Sequence, residues 1–312
     1  MSFLGQFTDV CGKIYNNFDE PLWLRNAVRN RINGPFNLDV YPTRSNAIDM
    51  ADANWDTLIV LDACRADLFE EHSDLDRFDT YETVVSPGSS TLEWTEQTFP
   101  GEYGDIVYVN GNPNVSEVAG ENFHKIIDVW RGGFDADLNT VPPEPVMDAA
   151  IDAHEAFSDK RIVVHFMQPH QPFISAPDLK FDGMREFSDE PPHNVFHALE
   201  MGLVDHDEVW DAYADNLEIV LSSVDDLVRS IEGKIVVTSD HGNLFGERGY
   251  PVPLRTYGHP TGIRNSPLVT VPWATITRNG RRDITAGRVK SMSRRDDGIE
   301  ELDNRLRALG YA

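Results

Sequence analysis

Two aspartates follow apolar runs that lie far apart in the chain. Asp62 ends the run that begins at Thr57, and Asp240 and His241 come just after the run 234–238. Continuous apolar runs of this kind predict buried parallel strands. Ligands of open α/β sheets bind where the carboxyl ends of such strands converge, and carboxylate and imidazole groups bind divalent cations. The pattern therefore predicts one metal site assembled from two distant segments.

A hydroxyl-rich turn lies between these two segments. Residues 86–94 read Ser-Pro-Gly-Ser-Ser-Thr-Leu-Glu-Trp and predict a turn that enters a helix. A helix start offers backbone N–H groups and a positive dipole end, which favour an alkoxide and bind phosphate. One interpretation is a nucleophile, with Ser89, Ser90 and Thr91 as alternatives. The other is a capping box, in which Ser90 is the N-cap and Glu93 follows three residues later.

The ten histidines differ in how much they indicate. His170 follows the apolar run 161–167 in a loop that contains two prolines, and His259 follows a glycine late in the chain. His165 lies inside that apolar run, which predicts a core histidine with satisfied hydrogen bonds. The remaining six are assigned no role: His72, His124, His154, His193, His197 and His206.

The elements that must position these groups alternate between strands and helices. Further strands are predicted at 81–85, 106–110 and 266–276, and helices are predicted at 146–157 and 211–231. The stretch 174–206 is rich in Asp, Pro and His, and we interpret it as a substrate-facing insertion or lid. The predicted division is a helical lead-in at 1–50 with an extended link at 37–42, a catalytic domain at 51–280, and a linker with a terminal helix at 281–312.

Composition excludes several classes of protein. A chain of 312 residues can bury a large core as one α/β domain, and its formal net charge of -25 opposes nucleic-acid binding. We interpret the evenly spread carboxylates as the solvated surface of a halophilic protein, with an ordinary acidic mesophilic protein as the alternative. Cys11 and Cys64 predict free thiols rather than a disulfide framework. No signal peptide or membrane span is predicted, so we expect a cytoplasmic protein, with 22–31 as a packed helix or, alternatively, a basic membrane-surface helix.

Several motifs together resemble the alkaline phosphatase superfamily, specifically its sulfatase-like branch. They occur in this order: the strand that ends in Asp62-Ala63-Cys64-Arg65-Ala66-Asp67, the segment 163–173 (Val-Val-His-Phe-Met-Gln-Pro-His-Gln-Pro-Phe), the segment 238–249 with Asp240-His241-Gly242, the segment Tyr257-Gly258-His259-Pro260, and the tail 306–311. The resemblance spans roughly residues 54–311. It implies a three-layer α/β/α fold of the alkaline phosphatase type, with a mostly parallel central sheet.

The resemblance also implies roles for individual residues. Asp62, Asp240 and His241 would bind a divalent metal, and Thr91 would be the nucleophile, with its oxygen also on the metal. His170 and His259 match positions that hold ester oxygens, protonate the leaving group or bind a second metal. Arg65 could help to neutralise the charge of the substrate. A carboxylate and imidazole donor set suits Zn or Mn, with Mg or Ca as alternatives.

Two departures from the family pattern refine the expected function. Sulfatases carry Cys-x-Pro-Ser-Arg where this chain has 91–95, Thr-Leu-Glu-Trp-Thr, so no formylglycine can form. Gln168 replaces an aspartate before the Pro-His pair, which favours one tight metal over two. We therefore expect a metal-dependent hydrolase of phosphate esters, and less so of sulfate esters, that acts through a covalent threonine intermediate. The alternatives are a transferase of a phosphoryl-linked head group acting on a polar lipid or surface glycan, and a non-catalytic metal-binding homologue.

Overall fold

The computed structural model describes residues 21–39, 46–181 and 192–289. The predicted terminal helix and Cys11 lie outside these ranges, as do the second half of the extended link (40–42) and the centre of the predicted lid. The division of the chain into lead-in, catalytic domain and linker stays a prediction. No helix in the described ranges is long and apolar enough to cross a membrane.

In the described ranges, nine strands form a central sheet and a separate hairpin. They are β1 (Thr57–Asp62), β2 (Thr80–Val85), β3 (Tyr103–Asn110), β4 (Phe123–Asp128), β5 (Arg161–Pro169), β6 (Gly233–Thr238), β7 (Leu244–Arg248), β8 (Arg255–Gly258) and β9 (Thr270–Arg278). The seven-stranded sheet has the order β2-β9-β6-β1-β5-β3-β4, and β7 pairs with β8. Only β9 runs antiparallel to its two neighbours in this sheet, so the sheet is mostly parallel, as predicted.

Strand β1 occupies the centre of the sheet. It pairs in parallel with β5 on one side and with β6 on the other, and Val60 lies opposite His165 and Thr238. All six residues of β1 are buried, because both faces of a parallel sheet are covered. The carboxyl ends of β1, β5 and β6 therefore meet at one edge of the sheet, where Asp62 and Asp240 follow.

Helices cover both faces of the sheet. They are α1 (Pro21–Val28), α2 (Gly34–Asp39), α3 (Ala66–His72), α4 (Thr91–Thr98), α5 (Pro113–Ala119), α6 (Val129–Gly132), α7 (Pro143–Ala156), α8 (Val195–Met201), α9 (His206–Ser230) and α10 (Ser266–Val269). One apolar cluster joins Ile59 and Leu61 to residues of α7 and α9. The other joins Leu58 and Val60 to Trp94 of α4 and Val115 of α5. Alternate residues of β1 thus face opposite layers, which confirms the α/β fold with helices on both sides.

The predicted extended link at 37–42 is wrong where the structure describes it. A π-helical turn at Arg29–Asn33 joins α1 to α2, and α2 continues to Asp39. The reason is tertiary, because the buried side chain of Asn37 donates to Asn33 O and to Tyr250 O, both at 2.6 Å. Asn33 also donates to Val252 O at 3.0 Å. These contacts hold the N-terminal helices against the loop between β7 and β8.

The late strand begins further on than predicted. Residues 266–269 form the short helix α10, with Pro267 in its first turn, and β9 begins at Thr270. The edge strand β4 and the β7–β8 hairpin were not predicted, because neither contains a continuous apolar run. Of the predicted insertion, the structure describes a 3₁₀ turn at Pro177–Leu179 and helix α8.

Candidate active site

Asp62, Asp240 and His241 lie together at the carboxyl edge of the sheet. One ligand atom from each lies within 4.8 Å of the other two, and all three side chains are fully buried. His241 Nε2 is 3.4 Å from Asp240 Oδ2 and 4.0 Å from Asp62 Oδ1. It is the only group of three or more His, Cys, Asp or Glu side chains in the described ranges that could hold a metal ion.

The backbone around Asp62 is held in a conformation that few residues adopt. Ala63 has a φ of 60°, in the left-handed region where a Cβ is unfavourable. Its N–H donates to Asp240 Oδ1 at 2.9 Å, and its carbonyl accepts from the Tyr213 hydroxyl, which in turn accepts from Arg65 N at 3.1 Å. Helix α9 therefore fixes the turn that presents Asp62 to Asp240.

His241 presents its Nε2 atom to the two carboxylates. Its Nδ1 lies 2.8 Å from Gly242 O, and because a carbonyl can only accept, Nδ1 carries the proton and Nε2 the lone pair. Burial lowers the pKa of His241 to about 4, so the ring is neutral at pH 7. Burial raises the pKa of Asp240, and the hydrogen bonds that it accepts oppose this effect.

A divalent cation fits this donor set. Two buried carboxylate side chains and a neutral imidazole nitrogen are the ligands found in zinc and manganese sites. In the described ranges the ion-pair partners of Asp240 are histidines, with no Lys or Arg among them. A bound cation would supply the positive charge that this buried carboxylate otherwise lacks.

Thr91 is the hydroxyl that faces this group. It is the first residue of α4, it is fully buried, and its Oγ1 donates to Asp240 Oδ2 at 2.8 Å. The same atom lies 3.3 Å from His241 Nε2. Of the two alternatives, Ser89 donates to Glu93 Oε2 at 2.7 Å and Ser90 bonds to Thr261 Oγ1 at 2.9 Å. The structure thus brings Thr91, and neither serine, to the predicted metal ligands.

The capping box is present in a modified form. Ser90 is the N-cap, and its Oγ accepts from Glu93 N at 3.4 Å. The Glu93 carboxylate accepts from Ser89 N at 2.9 Å rather than from Ser90 N, and it also accepts from Gly262 N at 3.3 Å. Glu93 therefore joins the start of α4 to the loop that follows His259.

His170 and His259 form a pair beside the predicted metal ligands. Their Nε2 atoms are 3.0 Å apart, so one of the two carries a shared proton. His170 Nδ1 donates to Gln171 O at 2.5 Å, and the His259 ring stacks on the His241 ring with centroids 4.7 Å apart. Burial lowers the pKa of His259 to about 3 and that of His170 well below its usual value. The pair is neutral at pH 7.

Arg65 lies near the site but its charge is already compensated. Its guanidinium donates to Asp67 at 2.6 Å, to Glu247 at 2.5 Å and to Asn243 O at 3.2 Å, and it stacks 5.0 Å above the Trp210 ring. The contacts favour a role in joining α3 to β7. Neutralisation of the substrate by Arg65 stays a prediction.

Asn112 is a site residue that the sequence analysis did not find. Its amide nitrogen donates to Asp62 Oδ2 at 2.5 Å, and its Oδ1 caps α5 by accepting from Asn114 N at 2.9 Å. The signal was the loop after β3, where Asn-Gly-Asn-Pro separates a buried strand from a helix. Gln168, at the end of β5, donates to Val141 O at 2.9 Å and is fully buried.

The fold is an α/β domain that brings two buried carboxylates, an imidazole and a hydroxyl together at the carboxyl edge of a mostly parallel sheet. No family model and no curated protein matches the sequence. Among solved structures, the soluble domain of lipooligosaccharide phosphoethanolamine transferase A from Neisseria meningitidis is similar, with 14% identity over 75% of this chain and 82% of that chain and a TM-score of 0.49.

Two further solved structures show the same kind of likeness. The C-terminal periplasmic domain of phosphoethanolamine transferase EptC from Campylobacter jejuni has 17% identity over 72% of this chain and 78% of that chain, with a TM-score of 0.43. A protein in the alkaline phosphatase superfamily from Vibrio parahaemolyticus has 15% identity over 85% and 68%, with a TM-score of 0.41. At these identities and TM-scores the likeness concerns the fold alone.

Proposed function

We propose that this protein cleaves phosphate esters by transferring the phosphoryl group to Thr91. One observation carries the proposal. The buried Thr91 hydroxyl, at the first position of a helix, donates to Asp240 Oδ2 and lies 3.3 Å from His241 Nε2. A hydroxyl becomes a nucleophile when a neighbouring base or a metal ion promotes loss of its proton.

Asp62, Asp240, His241 and Thr91 Oγ1 are the residues that would hold a divalent cation. When bound, the cation would lower the pKa of the Thr91 hydroxyl and polarise the phosphoryl oxygen. Asp240 Oδ2 is placed to accept the hydroxyl proton. The start of α4 contributes backbone N–H groups and the positive end of the helix dipole toward the phosphoryl oxygens.

We assign the His170–His259 pair to the leaving group. As the bond from Thr91 Oγ1 to phosphorus forms, the bond from phosphorus to the ester oxygen breaks. The N–H held between the two Nε2 atoms would donate a hydrogen bond to that oxygen, and the proton lost by Thr91 balances the one that the oxygen gains when it leaves as an alcohol. A water molecule or an acceptor hydroxyl then takes the phosphoryl group from Thr91 and restores the free hydroxyl.

Hydrolysis is the main candidate, and transfer of a phosphoryl-linked head group is the second. Phosphoethanolamine transfer is the activity named for two of the similar structures. A non-catalytic metal-binding protein is the third possibility and predicts metal binding without turnover.

The decisive experiment measures nitrophenol release at molar salt with added Mn²⁺ or Zn²⁺. Monoester, diester and sulfate substrates are compared for wild type, Thr91→Ala and Ser90→Ala. We expect metal-dependent turnover of a phosphate ester that Thr91→Ala abolishes and Ser90→Ala retains, together with a phosphorylated Thr91 peptide in acid-quenched samples. Loss of turnover in Ser90→Ala with retention in Thr91→Ala would refute the assignment.

The candidate functions differ in the fate of the phosphoryl group. A transferase releases nitrophenol faster when an alcohol acceptor is added, and the phosphoryl group appears on that acceptor. A hydrolase releases inorganic phosphate in equal amount to nitrophenol whatever acceptor is present. Metal binding with no turnover of any ester, with or without acceptor, would favour the non-catalytic homologue.

A further inference from the structure

His165 is a buried histidine that the proposed chemistry does not use. It lies in β5 among apolar neighbours, Val164 and Phe166, and its side chain is fully buried. Its Nε2 atom is 3.8 Å from Asp62 Oδ2 and 3.9 Å from Asp240 Oδ2. That atom has no hydrogen-bond partner in the described part of the chain. A buried polar atom aimed between the two predicted metal-binding carboxylates needs an explanation.

The second ring nitrogen of His165 is held by Tyr108. The Tyr108 hydroxyl lies 2.8 Å from Nδ1, and Tyr108 is itself fully buried on the adjacent strand β3. Trp94 packs edge-on against the imidazole with ring centroids 5.6 Å apart. The ring is therefore fixed in position and in orientation.

The carboxylates decide which nitrogen of His165 carries the proton. A lone pair on Nε2 would face two carboxylate oxygens and be repelled by both. An N–H group at Nε2 is attracted to both, and Nδ1 then accepts from the Tyr108 hydroxyl. In the arrangement with Tyr108 O–H toward Nδ1 and Nε2–H toward the carboxylates, no lone pair faces another negative group, although 3.8 and 3.9 Å are longer than hydrogen bonds.

We propose that His165 is a positioning residue whose Nε2–H, oriented by Tyr108, holds the metal-binding oxygens of Asp62 and Asp240 in place. The inference rests on the proposed metal site and deepens it. The N–H dipole offsets the repulsion between two buried carboxylates without adding a competing positive charge. Groups that orient metal ligands in this way affect metal affinity by about 10- to 100-fold. This role differs from direct ligation, in which Nε2 would carry the lone pair.

The test is the binding of Co²⁺ to the full-length protein, followed by its visible absorption bands and by competition with a chelator. His165→Leu removes the N–H at similar volume, His165→Gln retains an N–H donor at similar reach, and Tyr108→Phe removes only the orienting hydroxyl. We expect His165→Leu to weaken Co²⁺ binding by about 10- to 100-fold with unchanged band positions. His165→Gln should recover most of the affinity, and Tyr108→Phe should lie between His165→Leu and wild type.

Several results would overturn the inference. Wild-type affinity in both His165→Leu and Tyr108→Phe would show that the histidine only fills space. Shifted or lost absorption bands in His165→Leu would show that it is a direct ligand. Tyr108→Phe retains the ring and its packing, so it remains informative if His165→Leu does not fold.

Failure of the inference can be told apart from failure of the proposed function. If wild type turns over no ester but binds Co²⁺, and the His165 variants weaken binding in the expected order, the positioning role holds and the catalytic proposal fails. If wild type catalyses and binds Co²⁺ while His165→Leu and Tyr108→Phe bind as tightly, only the positioning role fails. If wild type binds no Co²⁺, both fail.

Discussion

Glu93 joins helix α4, which begins at Thr91, to the loop that follows His259. Its replacement should lower both the stability and the turnover of the protein. The side chain is buried, with 6% of its surface exposed. Its Oε2 accepts from Ser89 N at 2.9 Å, from Ser89 Oγ at 2.7 Å and from Gly262 N at 3.3 Å. Glu93→Ala removes the acceptor of all three donors at once.

The expected loss of stability depends on whether each of the three donors keeps another acceptor. Gly262 N keeps Ser89 Oγ as an acceptor at 2.8 Å, and Ser89 Oγ keeps Pro260 O at 3.3 Å. Ser89 N has no second acceptor among the described hydrogen bonds. A buried donor left unsatisfied costs about 1–3 kcal/mol, and a lost hydrogen bond to a charged acceptor about 1.5–3 kcal/mol. We expect Glu93→Ala to lower the free energy of unfolding by about 2–4 kcal/mol.

Glu96→Ala is the matched control, because it removes the same side chain from an exposed position of the same helix. Urea unfolding at pH 7.5 should show a change of about 0.5 kcal/mol or less for Glu96→Ala. Turnover should fall about 10- to 100-fold in Glu93→Ala, because small displacements of the reacting groups are costly. Equal stability and equal turnover of the two variants would refute the reasoning.

Three further predictions concern stabilisation by a metal ion, the turn at Ala63 and the pH dependence of stability. Mn²⁺ at about 100 times its Kd should stabilise wild type by about 2.7 kcal/mol in thermal unfolding, and Asp240→Asn should show no such gain. Tyr213→Phe leaves the buried Ala63 carbonyl and Arg65 N–H without the hydroxyl that joins them, and should cost about 1–3 kcal/mol in urea unfolding. Burial lowers the pKa of His154 from 6.5 to about 4, so folding favours its neutral form. The stability that comes from this preference is complete above pH 6.5 and is lost as the pH falls towards 4. We therefore expect Tm to fall less between pH 6.5 and 4 in His154→Gln than in wild type. An equal fall in the two proteins would show that the histidine titrates normally.

Much of the group formed by Asp62, Asp240 and His241 could be predicted, because the ends of buried strands can be recognised in the sequence. Asp62 and Asp240 follow apolar runs, and parallel strands bring their carboxyl ends to one edge. Asn112 could not be predicted in the same way, because its role depends on β3 lying beside β5. His165 looked like core for a similar reason, since its closeness to two carboxylates arises from strand register alone.

The choice among three adjacent hydroxyls required the structure. Ser89, Ser90 and Thr91 each carry a side-chain hydroxyl, and the position at which α4 begins decides which one faces Asp240. The helix at 34–39 could not be predicted from the sequence either, because Asn37 donates to the backbone of Tyr250, which lies 213 residues later in the chain. A cytoplasmic location and a halophilic origin stay predictions.

The central position of β1 means that the sheet can form only after distant parts of the chain have paired. Thr57 pairs with Ile162 and with Ile235, which follow it by 105 (162 − 57) and 178 (235 − 57) residues. Pairings this distant form slowly, because long loops must close before the contacts stabilise them. Asp240 and His241 come directly after the second of these partner strands. During synthesis, Asp62 therefore emerges long before Asp240 and His241, and the proposed metal site would be complete only after most of the chain has been made and β6 has docked.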